Sequence, residues 1–118
     1  MDNEEIIELL ANPHSRAIIS LTSIKECSAI QLSRELGMPL ATVYRNLKLL
    51  EAAGIIQHVK IIINLQGNEE RYFRCSLREA TIRINNGVLS VDIKKEDSNY
   101  KIIRLWKRLA HPNIKDIE

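Results

Sequence analysis

Apolar residues recur three and four apart through the first half of this chain, then switch to alternate positions after Gly54, so helices give way to strands there. Ile6, Ile7, Leu9 and Leu10 make the apolar face of a short first helix, and the acids ahead of them suit a helix N-terminus. Asn12 before Pro13 caps a second helix that buries Ile18, Ile19 and Leu21, with His14 and Arg16 exposed in its first turn and Arg16 placed to touch a phosphate. Lys25 to Cys27 is a short extended link. Ser28 and Gln31 then form a capping-box pair, Leu32 and Leu36 give the third helix one buried stripe, and Gly37 ends it. Pro39 takes the first position of a fourth helix, where its missing N–H is no loss. Val43, Leu47 and Leu50 bury that helix at i, i+4 and i+7, and Gly54 closes it. Helix, glycine turn and helix at this length make a helix-turn-helix.

Beyond Gly54, Ile55, Gln57, Val59, Ile61, Ile63 and Leu65 alternate with Ile56, His58, Lys60, Ile62 and Asn64, so one side of a strand is mostly apolar. Gln66–Gly67–Asn68 is a turn and Arg71 to Leu77 the return strand. A second alternating pair follows, Thr81 to Ile84 and Val88 to Ile93, joined at Asn85–Asn86–Gly87, a strong hairpin signal. From about Asp97 to Ala110, ending before Pro112, Ile102, Leu105, Trp106 and Leu109 line one face of a last helix, with Tyr100 and Ile103 beside them. That face is wider than packing on its own small domain requires, which points to a subunit contact.

Candidate chemistry lies on the outward face of the fourth helix. Opposite its buried stripe stand Ala41, Arg45 and Lys48, flanked by Leu40, Thr42 and Tyr44, with no carboxylate until Glu51. A small residue near the N-terminus, two cations and two hydroxyls suit the major groove of DNA, where such a helix reaches base edges. In the hairpin that follows, Lys60, Arg71 and Arg74 are placed to meet the phosphate backbone or minor groove, while Glu69 and Glu70 oppose this.

The run LSRELGMPLATVYRNLKLLEAAGII resembles the recognition segment of winged helix-turn-helix transcription regulators, most nearly the ArsR-like group and its small archaeal relatives. The matching residues are Leu36–Gly37, Thr42–Val43, Arg45, Leu47–Lys48, Leu50–Glu51 and Ala53–Gly54–Ile55–Ile56. This resemblance implies an α+β winged helix-turn-helix over 12–77 with the recognition helix at about 39–53 and the wing at 55–77. An extra hairpin over 78–95 and a C-terminal dimerisation helix over 97–110 complete one domain. In the ArsR-like group the first and last helices make the dimer, which implies an interface of Ile6, Leu10, Ile102, Leu105, Trp106 and Leu109. The metal sensors of that group carry a cysteine pair on the first helix of the helix-turn-helix. Ser28 and Ile30 stand there in this chain, so that metal site is absent and no cofactor is expected.

Composition adds limits. At 118 residues the chain can bury one core, and no apolar run nears a bilayer span, so a soluble, cytoplasmic protein with no membrane partner is expected. The net charge of +2 matters less than its distribution: residues 2–8 carry four acids and no base, and residues 12–95 hold twelve bases against seven acids. Cys27 and Cys75, far apart in sequence and forming no CxxC pair, read as buried thiols. No metal-ligand spacing, nucleophile–base motif or phosphate-cradling loop argues for an enzyme. Double-stranded DNA and a second copy of the chain are the expected partners, with no effector identified. A protein–protein module of a transcription assembly and an effector-sensing regulator are the competing readings.

Overall fold

The computed structural model describes residues 2–96. Four helices, α1 (Asn3–Ala11), α2 (Pro13–Ile24), α3 (Ala29–Leu36) and α4 (Leu40–Ala52), are followed by two hairpins. The strands are β1 (Cys27–Ser28), β2 (Ile56–Ile63), β3 (Glu69–Cys75), β4 (Leu77–Asn85) and β5 (Val88–Lys95). They form an antiparallel sheet in the order β1-β3-β2 and a separate antiparallel pair β4-β5. None of the described helices is long and apolar enough to cross a membrane.

Local signals place most of these boundaries. Asp2 and Glu5 make a capping box on α1, the Asn12 side chain accepts from the His14 amide at the start of α2, and Ser28 and Gln31 close a capping box on α3. Gly37 ends α3 at φ 66°, a left-handed conformation that a side chain would strain. Pro39 is the residue before α4, with extended ψ of 142°, rather than the first residue inside it. Its ring fixes φ equally well there, and Leu40 takes the first helical position.

The core joins both halves of the fold. Ile18 of α2, Leu32 of α3, and Val43, Leu47 and Leu50 of α4 are buried with Ile55, Ile56, Phe73 and Cys75 from the sheet. Ile19, Leu21 and Leu36 pack at its margin, only partly covered. Arg16 is exposed, but its guanidinium donates to the carbonyls of Leu10 and Ala11 at 3.1 and 2.7 Å. It therefore closes the C-terminus of α1, where free carbonyls favour a cation.

The wing, β2 and β3, departs from simple alternation. Ile55 and Ile56 are both buried, whereas Val59, Ile61, Ile62, Ile63 and Leu65 are all exposed. The register slips between His58 and Lys60, leaving Val59 as a bulge. A bulge inserts one residue and reverses the faces of everything after it. Past it, Ile61 and Ile63 pair with Arg71 and Glu69, on the same face as Phe73, and the hairpin runs out beyond the core. At its tip the Asn64 side chain accepts from the amides of Gln66 and Asn68, both at 2.9 Å. The return strand ends at Cys75, and Leu77 already belongs to the second hairpin.

That hairpin turns at Asn86 and Gly87, both with positive φ (53° and 78°), the geometry that matches strand twist. It is anchored at its base. Lys95 Nζ donates to the Ala53 carbonyl at 3.3 Å, and the Ser76 hydroxyl donates to the carbonyls of Gly54 and Ile55. The expected dimerisation helix at 97–110, with Ile102, Leu105, Trp106 and Leu109, lies outside the described residues.

Candidate nucleic-acid interface

The back of α4 is held by both apolar and polar contacts. Asn46 occupies the remaining position of the Val43–Leu47–Leu50 stripe and is 1% exposed. Its Oδ1 accepts from the buried Ser15 hydroxyl of α2 at 2.9 Å, and its Nδ2 donates to the Thr42 carbonyl at 2.8 Å. This polar link fixes the rotation of α4 against α2. Sequence reading missed the pair; the signal was a polar residue at i+3 of an apolar stripe, a position that requires a buried partner. Asn46→Ala should strand the Ser15 hydroxyl and lower stability by roughly 1–3 kcal/mol. Chemical denaturation checks this, and adding Ser15→Ala should cost less than the sum of the single changes because the two share one bond.

The front of α4 is open. Leu40, Ala41, Tyr44, Arg45 and Lys48 are exposed and Thr42 is half-buried. The side chains of Arg45, Lys48 and Arg71 have no ion-pair or hydrogen-bond partner among the described residues. α4 also begins without a side-chain cap and without an acid in its first turn, whereas α1, α2 and α3 are each capped by a side chain. The first amides of α4 therefore remain available to an anion, with the helix dipole behind them.

Between α4 and the wing runs a groove of about 350 Å³ whose lining includes Tyr44, Lys48, Glu51, Glu69, Arg71 and Phe73. Tyr44, Lys48 and Arg71, chosen from sequence, thus meet across one concave surface, with Arg45 on the adjoining turn. Glu51 is engaged by His58 at 2.8 Å, which joins the end of α4 to the base of the wing. Glu69 keeps an acid beside Arg71.

Lys60 does not join this group. The register places it with Tyr72 on the opposite wing face, where it pairs with Glu26 at 3.1 Å and lies 5.0 Å from the Tyr72 ring centroid. Arg74, on that face too, approaches Glu96 at 3.9 Å. Of the expected interface residues at the chain ends, Ile6 and Leu10 are half-buried on α1; the others lie outside the described residues.

Both cysteines are buried and free. Burial raises the Cys27 pKa above the ordinary thiol value, against the lowering effect of Lys25 and with a smaller raising contribution from Glu35. A thiol held neutral is a poor nucleophile and metal ligand. Among the described residues no group of three or more His, Cys, Asp or Glu side chains is placed to hold a metal ion.

Residues 10–59 match the family model of a helix-turn-helix domain. No curated protein matches the chain. Among solved structures it is similar to NolR from Sinorhizobium fredii, with 16% identity and a TM-score of 0.53 over 90% of this chain and 81% of that one. The peroxide stress regulator of Campylobacter jejuni is more distant in shape, with 16% identity and a TM-score of 0.46 over 100% of this chain and 92% of that one. The likeness to NolR is one of fold.

Proposed function

We propose that this chain is a transcription regulator that binds double-stranded DNA in a sequence-specific way as a homodimer, with α4 in the major groove and the wing along the backbone. The observation that carries the reading is the open front of α4. Its exposed cations are unpaired, its first amides uncapped, and its back locked to α2 through Ser15 and Asn46. Rigid support behind and unsatisfied donors in front are what groove recognition requires. The helix-turn-helix match over 10–59 supports this reading.

The proposed contacts are Leu40, Ala41, Thr42, Tyr44, Arg45 and Lys48 on the helix and Arg71 on the wing. Lys60 would contribute only by leaving Glu26, so its part is smaller. The proposed subunit contact joins Ile6 and Leu10 with Ile102, Leu105, Trp106 and Leu109, and the ArsR-like resemblance supports that pairing of chain ends. Titration of a labelled duplex by fluorescence anisotropy at several salt concentrations tests the function. Binding whose affinity falls steeply with salt is expected, because each neutralised phosphate releases counterions. A protein–protein module of the same fold would leave the duplex unbound at every salt concentration.

No metal enters this reading. Zinc and chelators should leave DNA affinity unchanged, as should Cys27→Ala with Cys75→Ala. A stoichiometric metal in the purified protein that disappears in the double variant would contradict it.

A further inference from the structure

Glu51 is the only acid in α4, and it lies in the last turn of that helix, on the wall of the groove that also holds Lys48 and Arg71. A carboxylate there is unfavourable on two counts. The free carbonyls of a helix C-terminus repel it, and so would a DNA phosphate entering the groove. Lys48 stands three residues earlier, a spacing at which side chains on a helix meet. Taken alone, α4 would therefore pair Lys48 with Glu51. The folded chain does not. Lys48 has no partner among the described residues, and Glu51 Oε2 lies 2.8 Å from Nδ1 of His58 instead.

The sheet explains why His58 takes the carboxylate. A carboxylate only accepts, so Nδ1 carries the hydrogen and donates it, whether or not the ring is charged. His58 pairs with Phe73 across β2 and β3 and so shares its face. The two rings meet edge-on, with centroids 6.3 Å apart and planes at 75°. Phe73 is buried, so the imidazole is braced before it pairs. A lysine, by contrast, gives up much rotamer freedom to hold one geometry. The register shift after His58 then turns Lys60 to the opposite face, where Glu26 engages it. Plain alternation would have set Lys60 on the same face as His58, as a rival for Glu51.

We infer that His58 is a positioning residue for the DNA contact: by holding Glu51 at the base of the wing, it keeps Lys48 free for a phosphate. This role presupposes the proposed function, in which Lys48 belongs to the interface. The wing then has two tasks. Arg71 adds a cation to the groove, and His58 withdraws an anion from it.

Anisotropy titrations of the full-length protein against a labelled duplex, at several salt concentrations, test this with four variants. His58→Ala should release Glu51 to Lys48 and lower affinity about threefold to tenfold. The salt dependence should fall by about one counterion per subunit, as it would on losing Lys48 itself. His58→Asn, which keeps an amide donor near the place of Nδ1, should bind like the wild type. Glu51→Gln should bind at least as tightly as the wild type, and His58→Ala with Glu51→Gln should match it. A mere brace between α4 and the wing would not recover in that double variant, because the bond is still missing there. A His58→Ala protein that binds like the wild type, or a double variant as weak as His58→Ala alone, would overturn the inference and leave the proposed function standing. A wild type that binds no duplex at any salt concentration would overturn both.

Discussion

Replacing Arg45 and Lys48 together by alanine should remove specific DNA binding while leaving the fold unchanged. A guanidinium facing a guanine edge makes two parallel hydrogen bonds, and losing it costs roughly 1–3 kcal/mol with relaxed preference at one base position. In a two-fold complex the loss occurs in both half-sites, so the Arg45→Ala penalty is about twice that. Lys48 acts as a point charge on the groove wall; its removal should weaken all sequences alike and lower the salt dependence by about one counterion per subunit. Both side chains are exposed and unpaired, so neither change disturbs the core. Denaturation midpoints of wild type and variant should agree within error, which separates a lost contact from a lost fold. Equal DNA affinity in the two proteins would remove α4 from the interface.

Trp106→Glu should convert the proposed dimer to a monomer and lower DNA affinity by about 100-fold or more. Association of the subunits and binding of DNA are linked. A single copy offers Arg45, Lys48, Arg71 and the amides of α4, few phosphate contacts for useful binding at moderate salt. Joining two such units makes the second binding event intramolecular, and the resulting avidity is typically worth 10²–10⁴. Tryptophan is the side chain with the largest apolar area in the proposed contact, and such residues dominate association energies. A carboxylate in its place sets two like charges facing each other across a two-fold axis. Sedimentation at micromolar concentration reads the mass directly, and the circular dichroism spectrum should change little. An unmutated protein that sediments as a monomer with and without DNA would contradict the dimer.

What was legible in the sequence was local. The Ser28–Gln31 capping box, the Gly37 stop, the Val43–Leu47–Leu50 stripe and the Asn86–Gly87 turn each depend on residues within a few positions, and the structure has all of them. What escaped depended on partners far along the chain. Asn46 is polar on a buried stripe because Ser15, on another helix, meets it. Lys60 looked free because Glu26, on the link before β1, becomes its neighbour only once β1 and β2 flank β3. Arg16 looked available to a phosphate, yet it folds back on the last carbonyls of α1. In β2 the alternation was present, but the bulge at Val59 exchanged its two faces, and no residue type announces such a bulge. Spacing alone tells which side chains of α4 face outward, whereas it does not tell which wing side chains stand beside them. Which of Lys60 and Arg71 shares a groove with Lys48 is set by strand register.

The most direct test is selection from a pool of random-sequence duplexes with the purified protein, followed by sequencing of the bound fraction. Enrichment of a two-fold symmetric site is expected, its half-sites about one helical turn apart and each containing a guanine that loses its preference in Arg45→Ala. A bound fraction indistinguishable in sequence from the input pool would contradict it.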